Sequence, residues 1–169
     1  MFQKGEFVIY GNDGICRVEE IGVPTGLPVD RKGKQYYTLA PVFGSGVIYA
    51  AVDTKVFMRP ILTKAQAEQL IDQIPHIQEE ATAGQDVRAL SEKYKGFLDT
   101  HQCEDLVRLI KTVYRKEKTL EESGKKLAKT EQEYGKIAKE LLHREFSVAL
   151  DIPYEEVSEY ITKRVEGKK

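Results

Sequence analysis

The chain contains no tryptophan, and only two cysteines and two methionines in 169 residues. Cys16 and Cys103 are too few for a disulfide scaffold or a cysteine-ligated zinc site. No run approaches the roughly 18 apolar residues of a membrane-spanning helix, so no membrane partner is expected. Charge of one sign is also missing, the formal net charge being −1. The opening MFQKGEFVIYG carries charge where a signal peptide would be apolar, so it does not read as one. What is present is a globular mixture, 41% hydrophobic and 31% charged. A reduced, cytoplasmic, soluble protein is expected.

Two parts of the chain have different periods. Residues 1–60 hold eight of the 13 glycines, together with Pro24, Pro28, Pro41 and Pro60. Between these breakers lie short β-branched and aromatic runs: Phe7-Val8-Ile9-Tyr10, Ile15-Cys16-Arg17-Val18, Gln35-Tyr36-Tyr37-Thr38-Leu39, Val47-Ile48-Tyr49-Ala50 and Lys55-Val56-Phe57-Met58. Each has the length and composition of a strand. Asn12-Asp13-Gly14 marks a tight hairpin between the first two. Five short strands predict a small, bent antiparallel barrel.

From residue 61 a 3.6-residue period takes over. Thr63-x-x-Gln66 has capping-box spacing ahead of Ala67, Leu70, Ile71 and Ile74. Asp86 can cap a second helix with Val87, Leu90, Tyr94 and Phe97 on one face. A third is expected over about 103–118, with Leu106, Val107, Ile110, Val113 and Tyr114 inward. Thr130-x-x-Glu133 reads as a capping box for a fourth, with Tyr134, Ile137, Leu141 and Leu142 inward. Asp151-Ile152-Pro153 opens a last one. The fold class is therefore α+β, with a strand domain over 1–60 and an all-α bundle of about five helices over 61–169.

The small net charge conceals two opposed blocks. Residues 66–87 carry Glu68, Asp72, Glu79, Glu80 and Asp86 and no Lys or Arg. Residues 108–129 carry Arg108, Lys111, Arg115, Lys116, Lys118, Lys125, Lys126 and Lys129 against Glu117, Glu121 and Glu122, with Arg88, Lys93 and Lys95 just before them. Such a block can neutralise phosphates, or it can be a solvated helix face.

No catalytic constellation is visible. His76, His101 and His143 lie in separate segments without metal-ligand spacing, so no metal is expected and surface or helix-end positions are the natural reading. Cys16 and Cys103 read as buried structural thiols. Gly44-Ser45-Gly46 lacks the frame of a nucleophile elbow. Gly11-Asn12-Asp13-Gly14 is too short for a phosphate loop and leads into a strand. The chain therefore reads as a non-enzyme with no cofactor and no small-molecule substrate.

Three stretches, GEFVIYGNDGICRVEEIG, QYYTLAPVF and VIYAAVDTKVFMRPILTKAQAEQLIDQIP, resemble the CarD/CdnL family of bacterial RNA polymerase-binding transcription regulators. Gly5, Glu6, Val8, Ile9, Tyr10, Gly14, Ile15 and Val18 fit the family's opening pattern. LVRLIKTVYRKEK and KELLHREFSVALDIPYEEVSEYI resemble its helical half. The resemblance implies a Tudor-like domain that docks on the polymerase β subunit. It also implies a helical domain that touches promoter DNA near the upstream edge of the melted region, modulates open-complex stability and keeps the protein on the nucleoid. Transcription–repair coupling helicases carry a similar module, but 169 residues are too few for their motor domains.

On this reading Val47, Ile48 and Tyr49 form an edge strand that pairs with the polymerase, or an internal strand whose side chains are core. Arg88, Lys93, Lys95, Lys111, Arg115, Lys116, Lys125 and Lys126 would grip the DNA backbone without reading sequence. Some family members wedge a tryptophan into the minor groove. Here Leu90 falls at that place, as an apolar wedge or as a core residue. The alternative function is a protein-only adaptor that binds polymerase and leaves DNA alone.

Overall fold

The computed structural model describes residues 1–24 and 33–167. Gly26 and Pro28, counted above among the breakers, lie outside them. The chain divides into two compact units, Met1–Ile61 and Leu62–Lys169.

The first unit is an antiparallel sheet of β1 (Phe7–Tyr10), β2 (Gly14–Gly22), β3 (Tyr36–Pro41), β4 (Ile48–Ala51) and β5 (Met58–Pro60). The β1–β2 hairpin closes through a 3-10 turn at Gly11–Asp13, with Tyr10 opposite Gly14. Gly11 is required there. Its φ is +45° and an added Cβ would lie 2.8 Å from the Val56 side chain, so a larger residue would be both strained and crowded. Glu19 is the extra residue of a bulge between the Val18 and Glu20 pairings with β3, which bends the sheet. Val8, Cys16, Val18, Tyr37, Leu39 and Ala50 form the core of this unit.

The strand order is β4-β3-β2-β1-β5. Among the described residues the sheet does not close, so the expected barrel is a loose one, a curved sheet with two edges, and the α+β class holds. Closure would need β4 to pair with β5, and both are short, at four and three residues. The fifth strand also begins later than predicted, at Met58, and places Pro60 opposite Val8. An edge is where a residue without an N–H is tolerated.

The second unit holds α1 (Lys64–Gln73), α2 (Val87–Asp99), α3 (Cys103–Glu122), α4 (Lys129–Leu150) and α5 (Tyr154–Glu166). The Thr63–Gln66 capping box forms in both directions, and the Asp86 carboxylate accepts from the Ala89 N–H at 2.8 Å. Expected features fail at α4. The helix starts at Lys129, with the Gln132 N–H donating to the Ala128 carbonyl, and no side chain caps it. Thr130 is therefore already inside the first turn. At the other end, Asp151 takes a left-handed φ of +55° and terminates α4, while α5 begins behind Pro153.

The helical core centres on Ile71, Leu90, Tyr94, Leu109, Ala138, Phe146 and Val157. Three residues expected on the apolar faces of their helices are exposed, Val87 among them at 39%. Tyr114 is 60% exposed and Ile137 is 43% exposed. The buried stripe of α3 runs through Leu106, Leu109 and Val113, and Tyr114 lies about 100° round the helix from Val113.

Candidate functional site

Among the described residues β4, a strand of four residues, forms one edge of the sheet. In the described residues β4 pairs only with β3. The Val52 N–H donates to the Gln35 carbonyl at 3.1 Å, and Tyr37 lies opposite Ala50 and Thr38 opposite Tyr49. Antiparallel alternation then turns the N–H and C=O groups of Ala50 and Ile48 toward β3. Those of Tyr49 and Ala51 turn outward, where the Ala51 carbonyl accepts from the Thr54 N–H at 2.9 Å. The structure thus places Ile48 and Tyr49 on an edge strand, with Val47 just before it. Val47 is 55% exposed and Tyr49 42% exposed, whereas Ile48 packs against the sheet core. No proline, lysine or bulge blunts β4, although edges are commonly protected in that way.

At the β4 start, and at the same end of the sheet, the exposed apolar residues Val42, Phe43 and Val47 gather around the β3–β4 connection. This end of the unit therefore joins unpaired main-chain donors to apolar side chains, the two requirements for adding a strand from a partner.

Much of the two charge blocks is spent on the fold, and one pair, Glu79 with Arg115, joins block to block. From the acidic block, Glu68 and Asp72 hold Arg164, at 2.9 and 2.8 Å. Glu79 pairs with Arg115, whose guanidinium holds the Glu79 carboxyl below the usual carboxylate range. Asp86 caps α2. From the basic block, Arg108 binds Asp105 at 2.6 Å. Lys111 donates to the carbonyls of Ile74 and Ile77, at 2.7 and 2.6 Å. Lys116 binds the buried Glu131 at 2.6 Å.

Of the residues expected to contact DNA, Lys111 and Lys116 are thus structural, and Arg115 carries a partner while its side chain stays exposed. Lys125 and Lys126 are exposed in the loop between α3 and α4, flanked by Lys118 and Lys129. Arg88 and Lys95 are exposed on α2, and Lys93 is half-buried there. Leu90 is 0% exposed. It belongs to the core with Tyr94, and the folded helix leaves it no free surface for a DNA groove.

Three buried polar groups escaped the reading of the sequence. Glu131 is 0% exposed. It accepts from the Tyr94 hydroxyl at 2.6 Å as well as from Lys116, tying α2, α3 and α4 together. Burial and the Glu131 carboxylate together raise the Tyr94 phenol above its ordinary range. Glu145 accepts from the Leu62 N–H at 2.9 Å and from the Cys103 thiol at 3.2 Å. Both cysteines are buried, and burial pushes the Cys16 thiol up to about 11, so it stays protonated and unreactive near neutrality.

The third buried group, His143, was expected at the surface or at a helix end and lies inside α4. Burial, with a smaller contribution from Lys139, pushes it down to about 4 from 6.5. A group depressed in this way contributes stability above its unfolded value, and that contribution is lost as pH falls toward the folded value. The urea midpoint of the helical signal should therefore drop between pH 6.5 and 5, above the ordinary carboxylate range. His143→Leu should flatten that segment. An unchanged slope in the variant would show that another group controls it.

Among the described residues no cluster of three His, Cys, Asp or Glu could hold a metal ion, and no helix is long and apolar enough to cross a membrane. Residues 2–62 match the family described as the CarD-like/TRCF RID domain, an RNA polymerase-interacting module. No curated protein matches the chain.

Proposed function

With its first unit belonging to the CarD-like/TRCF RID family of RNA polymerase-interacting domains, we propose that this protein is a transcription regulator bridging polymerase and promoter DNA. The sheet unit docks on the β subunit by adding β4 to a strand of that subunit. The helical unit lies against promoter DNA through Lys125 and Lys126, supported by Arg88, Lys93, Lys95, Lys118 and Lys129. These cations would meet phosphates and carry no base code. The protein acts in the cytoplasm, on the nucleoid, by favouring one state of the open complex over another, with no chemical step. The observation that carries this reading is the family match over the same residues that expose the unpaired β4 edge.

The edge assignment yields a specific test. Tyr49→Pro removes an outward donor and leaves the β3 pairs of Ala50 and Ile48 intact. Binding to an isolated β-subunit fragment, measured by titration, should weaken by about tenfold or more while the sheet stays folded. Unchanged affinity would sink the edge-pairing mode. The intramolecular use of Arg108, Lys111 and Lys116 favours a second reading, the protein-only adaptor. Duplex DNA separates the two. For the bridging protein, reversing Lys125 and Lys126 to Glu should weaken binding and reduce the log–log salt slope by about two. The adaptor binds no duplex at all.

A further inference from the structure

We propose that Tyr114 is a stacking platform for an unpaired nucleobase, with Lys118 and Arg115 placed to meet the phosphates on either side of it. This rests on the reading of the helical unit as the part that contacts nucleic acid, and it adds the form in which the nucleic acid is bound.

Among the described residues Tyr114 is the most exposed aromatic side chain, at 60%. The Lys118 ammonium sits 5.4 Å from its ring centroid. That contact orients the ring and holds a cation over one of its faces, so a base would stack on the opposite face. Tyr114, Ile110, Lys111, Arg115, Lys118 and Glu79 line an open cleft on α3 whose surface is mainly apolar. Three of these residues are cationic and one is anionic. Arg115 pairs with that anion, Glu79, and Lys111 donates to the Ile74 and Ile77 carbonyls, so Lys118 carries most of the uncompensated charge.

A flat apolar face in a cationic frame matches a ligand that is itself flat, aromatic and polyanionic. An acidic peptide would satisfy the cations and leave the ring in water. A duplex would satisfy the cations too, but the faces of its bases are covered by their neighbours. A single-stranded segment offers both phosphate and a free π-face, and base–aromatic stacking tolerates any sequence.

The test compares the full chain binding a short labelled oligodeoxythymidine and a duplex at low salt. Tyr114→Ala should weaken the single strand by about five- to a hundredfold and change the duplex by less than about twofold. Tyr114→Phe keeps the stacking face and should bind as the parent does. Tyr114 is exposed, so all three variants fold. Because the chain has no other tryptophan, Tyr114→Trp installs a sole indole reporter, and its emission should be quenched on adding the oligonucleotide.

If Tyr114→Ala leaves single-strand affinity unchanged while reversal of Lys125 and Lys126 weakens duplex binding, the stacking site is wrong and the bridging function stands. If the parent chain binds neither nucleic acid, the DNA half of the function falls and the stacking site with it. If Tyr114→Ala weakens binding to a polymerase subunit and not to the oligonucleotide, the cleft belongs to an acidic protein partner and the proposal is overturned.

Discussion

Glu131→Ala should destabilise the helical unit by about 3–5 kcal/mol, the cost of breaking a buried ion pair by removing one partner. The substitution strands two groups at once. The Lys116 ammonium, with its side chain only 17% exposed, loses its counter-charge, and the Tyr94 hydroxyl loses its acceptor. Burying an uncompensated charge is costlier than the lost attraction alone. The urea midpoint followed by helical circular dichroism reads the effect directly.

The converse variant distinguishes pair from site. Replacing both members by apolar residues, Lys116→Met with Glu131→Leu, should recover most of the loss, since a well-packed apolar pair is often neutral or better. If Glu131→Ala costs less than about 1 kcal/mol, the pair is not desolvated in solution as the structure has it. A tie among α2, α3 and α4 is also a condition for the proposed nucleic-acid surface, because Arg88, Lys93 and Lys95 ride on α2 and Tyr114 and Lys118 on α3.

The second large effect is at Leu90. Leu90→Ala is expected to cost about 2–5 kcal/mol, the transfer free energy of the removed atoms plus the cavity they leave. Duplex affinity, measured in conditions where the variant is still folded, should stay within about twofold of the parent. A wedge residue would behave in the opposite way, with stability kept and DNA affinity lost. That outcome would show that α2 rotates or opens when DNA binds.

Strand runs were legible in the sequence because β-branched and aromatic residues bracketed by glycine and proline need only local information. The caps at Thr63 and Asp86 were legible for the same reason. The sheet's failure to close was not, because closure depends on whether β4 and β5 can reach each other, and no local pattern records that. Glu131 was hidden more deeply. A carboxylate at the start of a helix looks like a favourable dipole partner. Only the approach of Lys116 and Tyr94, 15 and 37 residues away, turns it inward.

The basic block was misleading in one specific respect. A run of lysines and arginines gives the sum of charge but not where each charge is spent, and Lys111 was spent on two backbone carbonyls. The candidate site was therefore half legible. Lys125 and Lys126, next to Gly124 in a loop, could be taken at face value, whereas the helical cations could not. Tyr114 lay one residue beyond a stripe whose phase was set by packing against two other helices.

The contact of Arg164 with Asp72 and Glu68 spans 92 and 96 residues, and α1 packs on α4 and α5. All the strand pairings of the first unit lie within residues 7–60. The order of events during synthesis follows. The sheet can form as soon as Pro60 has emerged, whereas α1, made immediately afterwards, has no helix to pack on until α4 is made and completes its contacts only with α5. The β4 edge is thus presented while the rest of the chain is still being made, and a truncation that removes α5 takes from the first helix its Arg164 partner and part of its packing.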